Sequence, residues 1–165
     1  IYSELDFSQI EWPQAFANGK FNGKIFGNGH KIIGASVEST SRSRISNGLF
    51  ASLGENAYIE NLEFEAVTHK IDLMSVAPGA TFGLLAGSAA ESASFSNVKV
   101  SGKILIGDSC ASLAGSIDYT INTLFVGGIT DGIDASITVE KANPATKTFN
   151  LKVDEDGNVS ITQGD

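Results

Sequence analysis

Two acidic groups have the residue types and spacing for chemistry. Glu60, Glu63 and Glu65 fall on one strand-like run, Ile59-Glu60-Asn61-Leu62-Glu63-Phe64-Glu65. Two carboxylates facing each other across a glycosidic bond can hydrolyse it. A carboxylate base, often beside calcium, can instead drive elimination from a polysaccharide. Strand alternation puts Asn61, Glu63 and Glu65 on one face, and an internal repeat brings Lys99 beside Glu63. Glu63, Glu65 and Lys99 are therefore the candidate cluster for a sugar or for calcium. The plain alternative is a strand face that is charged because it meets water. The second group, Asp154-Glu155-Asp156-Gly157-Asn158, is rich in oxygen, with Asp154 and Asp156 as candidate calcium ligands. It lacks the twelve-residue loop with a closing glutamate and reads first as an acidic hairpin turn. Asp131-Gly132-Ile133-Asp134 is a sparser version of the same composition.

Other reactive types carry less. His30 follows the Gly27-Asn28-Gly29 turn and is expected to hydrogen-bond locally. His69, with Lys70 and Asp72 near it, is expected in a loop, and without a second histidine close by a zinc site is unsupported. Cys110 is the single cysteine, which excludes an internal disulfide and reads as a small buried apolar residue. Neither Gly27-Asn28-Gly29 nor Gly127-Gly128 is followed by the Lys-Ser/Thr signature of a phosphate loop. Trp12 precedes Pro13 and should be extended. It is read as a cover over an open end of the core, with a carbohydrate-stacking platform as the functional alternative. Arg42 and Arg44, in a serine-rich loop, read as solvated charges.

The elements that position these residues are strands. Phe21 to Gly34 alternates glycines with apolar pairs, and Asn28-Gly29 between Ile25-Phe26 and Ile32-Ile33 predicts strand, tight turn, strand. No sustained helical period appears in the middle of the chain. The alanines from Val76 to Phe95 are punctuated by Gly79, Gly83 and Gly87, which suits small residues stacked in a narrow core. At the far end, Phe149–Val153 and Asn158–Thr162 flank an Asp-Gly turn and predict an antiparallel hairpin.

Composition agrees. The 165 residues suffice for one domain with a real core, and 18 glycines with only 18% charged residues favour short strands and tight turns. A net charge of −8 argues against a nucleic-acid or anionic-membrane partner. No apolar run is long enough to span a bilayer, and no signal peptide is seen. The abrupt opening on Ile1–Phe7 reads as one module trimmed from a longer chain.

The decisive pattern is self-similarity. Ile59–Glu65 aligns with Phe95–Ser101 at an offset of 36 residues, with Asn61 on Asn97, and Gly48-Leu49-Phe50 aligns with Gly83-Leu84-Leu85 at 35. Phe125–Gly128 followed by Ser136–Val139 is a decayed third copy. A fixed period of this length indicates stacked repeats, with parallel strands about 4.8 Å apart. Asn61 and Asn97 then form a rung of an amide ladder, and Glu63 and Lys99 an exposed opposite-charge pair.

Phe21-Asn22-Gly23-Lys24-Ile25-Phe26-Gly27-Asn28-Gly29-His30-Lys31-Ile32, Gly48-Leu49-Phe50, Ile59–Leu62, Gly83–Gly87 and Phe95–Gly102 together resemble the GLUG-type repeat region. That region occurs in bacterial surface proteins and in the non-catalytic part of immunoglobulin-A-specific metalloproteases. The resemblance covers about residues 1–140, with Phe26 where the family phrase has Asp. It implies a right-handed parallel β-helix displayed outside a bacterial cell, adhesin-like and without catalytic residues of its own. The expected architecture is all-β: residues 1–142 as parallel β-helix with an N-terminal capping strand, and 143–165 as a C-terminal hairpin cap. Gly27, Gly29, Asn61 and Asn97 are its structural positions. The expected function is non-enzymatic, with no cofactor, calcium being the one weak exception, and a host or matrix protein or glycan as partner. A polysaccharide lyase or hydrolase and a plain structural spacer are the rival readings.

Overall fold

The computed structural model describes residues 1–10, 16–40, 43, 45–73, 75, 77–107, 110, 124–141, 149–153 and 159–163, with backbone only at 17–18, 141, 149–153 and 159–163. Trp12, Arg42, Arg44, Asp154 and Asp156 lie outside the described residues. The described residues are all-β, and their strands are β1 (Leu5–Asp6), β2 (Ala17–Phe21), β3 (Lys24–Phe26), β4 (Lys31–Ile33), β5 (Ser36–Ser39), β6 (Ser46–Asn47), β7 (Phe50–Leu53), β8 (Tyr58–Ile71), β9 (Thr81–Phe82), β10 (Ala86–Ala89), β11 (Ser94–Ile106), β12 (Ile133–Lys141), β13 (Phe149–Val153) and β14 (Val159–Gln163). No α-helix occurs among the described residues.

Three sheets are parallel throughout. The largest runs β1-β4-β8-β11-β12, with β3 and β5 also paired to β8; β10-β7-β2 and β6-β9 form the other two. Leu62 lies beside Val98, and Phe64 beside both Val100 and Ile32. The third copy is β12, whose Ile133 pairs with Val98 and Val139 with Ile104. Residues from all three sheets (Phe64, Phe50 and Phe82 among them) share one buried apolar cluster. The hairpin of β13 and β14 is antiparallel, with Leu151 opposite Ile161.

The inward set of β8 departs from simple alternation, and backbone conformation explains why. Ile59, Leu62, Phe64, Val67, His69 and Ile71 are all buried, so inward positions are twice separated by three residues instead of two. Each extra residue coincides with a left-handed backbone: Asn61 at φ 48° and Ala66 at φ 54°. A single left-handed residue inserts one unpaired position and restores the inward phase, as in a β-bulge. At the second site the register of β8 against β11 slips between Val100 and Gly102. Asparagine tolerates this conformation, whereas alanine pays about 1 kcal/mol for it. Ala66 is exposed, so Ala66→Gly should raise stability by about 0.5–1 kcal/mol, read as a higher urea midpoint at unchanged slope.

The Asn28-Gly29 turn falls where the sequence sets it, between β3 and β4. Both residues have positive φ, 53° and 81°, and the His30 N–H donates to the Gly27 carbonyl at 3.0 Å. Yet the chain does not reverse. β3 and β4 on either side both run parallel to the single strand β8. The continuous partner strand holds both flanks to one direction, so the turn becomes a local bulge.

Candidate functional site

The outer face of the large sheet gathers the charged candidates. Alternation aims Lys31, Glu63, Lys99 and Asp134 outward, and strand register sets them in one row. The expected pairing of Glu63 with Lys99 requires correction. They are register neighbours, but Glu63 pairs with Lys31 at 3.4 Å, and the same ammonium contacts Glu65 at 2.5 Å. The hydrogen bond that the Lys31 ammonium donates to Glu65, and after it the one to Glu63, holds that ammonium above its ordinary pKa. Lysine thus stands between the two carboxylates, where a scissile bond would have to lie. Farther along, Lys70 pairs with Glu38 at 2.7 Å and Lys103 with Glu140 at 3.7 Å. Lys99 joins no ion pair among the described residues.

Beside this row the side chains are linked step by step. Phe26, 49% exposed, meets Tyr58 edge-on with ring centroids 6.0 Å apart. The Tyr58 hydroxyl donates to Glu60 Oε2 at 3.1 Å, and Asn61 Nδ2 donates to Glu60 Oε1 at 3.1 Å. Partial burial, reinforced by Glu60, pushes the Tyr58 phenol upward. Asn97 Nδ2 donates to Asn61 Oδ1 at 2.8 Å across 36 residues of sequence. The two asparagines, with Gly29, Leu62, Glu63 and Lys99, line an open hollow of about 140 Å³.

The glycines of the turn hold its floor in different ways. A β-carbon on Gly27 would lie 2.2 Å from the Asn61 carbonyl oxygen and 2.5 Å from Leu62 Cβ, whereas one on Gly29 meets nothing within 4 Å. Gly27→Ala should therefore cost about 1–3 kcal/mol through crowding. Gly29→Ala should cost only about 1 kcal/mol, from its positive φ. Paired urea melts check the order.

His69 is the largest departure from the sequence reading, which placed it in a loop. It is fully buried in β8 at an inward position between Val67 and Ile71. Its Nδ1 lies 2.8 Å from the Gly83 carbonyl, and Nε2 lies 2.8 Å from the Ser39 hydroxyl. A carbonyl only accepts, so Nδ1 carries the proton and Nε2 accepts from Ser39. Asn47, 2% exposed, sits against Ser39 at 3.3 Å. Burial drives the imidazole pKa down to about 4. A serine hydroxyl on a histidine nitrogen is the start of a nucleophilic pair, but Ser39 is only 6% exposed and His69 is fully buried. The trio is an internal polar clamp joining β5, β6 and β8.

The chain matches no family model, no curated protein and no solved structure.

Among the described residues no group of three or more His, Cys, Asp or Glu is arranged to hold a metal, and no helix is long and apolar enough to cross a membrane. Cys110 is buried, its Sγ donating to the Ile71 carbonyl at 3.3 Å, and burial pushes its thiol upward. Sequence reasoning missed Lys31 and the His69 clamp. Both were within reach of the alternation rule. Lys31-Ile32-Ile33 sends Lys31 outward once Ile32 is set beside Phe64, and Val67-Thr68-His69-Lys70-Ile71 sends His69 inward.

Proposed function

We propose that this chain is a right-handed parallel β-helix of the GLUG-repeat kind, working outside a bacterial cell as a non-enzymatic module for adhesion or display. The observation that carries the reading is one spacing recurring in different sheets. Asn97 bonds to Asn61, Ser88 to Ser52 and Thr81 to the Ile45 carbonyl, each across 36 residues. A chain that returns on itself at this interval in all three parallel sheets, with shorter returns where Val98 pairs with Ile133 and Lys31 with Glu63, is expected to wind round its core, and parallel crossovers are right-handed in about 98% of cases. In this reading the β13–β14 hairpin serves as the cap that a stack of parallel strands requires.

The side chains favour binding over turnover. Glu63 and Glu65 are both engaged by Lys31, and the Ser39–His69 pair is sealed. The outer face instead presents stacked, mutually bonded side chains, a stiff surface for a host or matrix protein or a glycan. The protein should be screened against matrix proteins and a glycan array, with polysaccharide cleavage followed in parallel. Reproducible binding without new reducing ends or unsaturated products is expected. Cleavage would overturn the non-enzymatic reading, and uniformly negative binding would leave a spacer.

A further inference from the structure

We infer that the outer sheet face carries a subsite for one neutral sugar ring, the hollow lined by Asn61, Glu63, Asn97 and Lys99, with the exposed Phe26 ring linked to it through Tyr58 and Glu60. This rests on reading the chain as an extracellular binding module and names the chemistry that its face would take.

The donor and acceptor inventory selects the ligand class. Glu60 and Glu63 only accept hydrogen bonds, Lys99 only donates, and an asparagine amide does both. Asn97 spends one N–H on Asn61 and, exposed as it is, keeps its carbonyl oxygen and second N–H toward solvent. Lys99 is likewise exposed and joins no ion pair among the described residues. Sugar hydroxyls donate and accept, so vicinal hydroxyls can use both halves of this array. A carboxylate ligand could accept from Lys99 and the Asn97 N–H, but it would leave the Asn97 carbonyl unused and meet the like charges of Glu60 and Glu63. The Phe26 ring, half exposed and braced by Tyr58, offers an apolar surface for the C–H face of a pyranose. At about 140 Å³ the hollow is smaller than the 300–1,000 Å³ of drug-sized sites, which suits a single ring at a chain end or branch. The array is also preorganised. Asn61 and Asn97 are both held at left-handed φ, 48° and 49°, and bonded to each other, so little ordering accompanies binding.

The test is ¹H–¹⁵N NMR of the chain titrated to tens of millimolar with methyl β-glucoside, methyl β-galactoside, methyl α-mannoside, cellobiose and, as the acidic arm, methyl β-glucuronide. Saturable shifts for at least one neutral sugar are expected at Gly29, Lys99 and the side-chain amides of Asn61 and Asn97. They should weaken about ten-fold in Phe26→Ser and in Asn97→Gly, which keeps the left-handed turn while removing the amide. Absence of saturable shifts in a well-dispersed spectrum would overturn the subsite, as would tighter binding of the glucuronide or undiminished binding in both variants. Release of glucose from cellobiose would overturn the non-enzymatic reading instead, and the same spectra distinguish the two failures.

Discussion

Lowering the pH from 7 to 4 should remove about 3 kcal/mol of folding stability through His69 alone. The folded imidazole titrates at about 4 against 6.5 for an unburied one. As pH falls below 6.5, the unfolded chain takes up a proton that the folded chain refuses, so acid favours unfolding. The contribution is complete above pH 6.5, declines between 6.5 and 4, and is gone once the folded histidine also charges. The cause is geometric: the ring is sealed at 0% exposure between Ser39 and Gly83, where an imidazolium would lose its hydration. Carboxylates titrate near the lower end of the same window, so the control is His69→Gln, which cannot charge. Urea melts at pH 7, 6, 5 and 4 should show the wild type losing about 3 kcal/mol more than the variant. Parallel profiles would mean that water reaches the ring.

Phe64→Ala should cost about 3–5 kcal/mol. Phe64 is fully buried in β8, flanked by Ile32 and Val100 in the large sheet. Its ring also meets Phe50 of the second sheet at 6.5 Å, nearly perpendicular. Truncation removes contacts in two directions, and the backbone on both sides is held by parallel pairing, so the cavity has little room to collapse. Against a total stability of 5–15 kcal/mol, this brings the chain close to its limit. Ser96→Ala, exposed on the same sheet, should stay within about 0.5 kcal/mol. Comparable losses from the two would show that the sheets do not share a core there.

How much was legible in the sequence follows from which forces act locally. The parallel neighbours Leu62 and Val98 were readable because apolar alternation and the repeated asparagine both report on register. The hairpin strands of the C-terminal end were readable from an Asp-Gly turn between alternating runs. His69 was not read correctly, because a polar residue flanked by Lys70 and Asp72 looks exposed by composition. Its burial depends on Ser39 and Gly83, thirty and fourteen residues away. The ion pairing of the outer face was misassigned for a related reason. Register sets Glu63 between Lys31 and Lys99, and side-chain reach, which alternation does not encode, decides for Lys31. The Asn28-Gly29 turn was readable from its residues, but the parallel course of its two flanks is set by the strand to which both are hydrogen-bonded.

The most direct test of the stacked-repeat account is the pattern of backbone nuclear Overhauser contacts between 58–65 and 94–101. Side-by-side strands running the same way should give Hα–HN contacts linking Leu62 with Val98 and Phe64 with Val100 and their immediate neighbours. Close Hα–Hα contacts between the two segments, the mark of antiparallel strands, or no contacts between them at all, would contradict it.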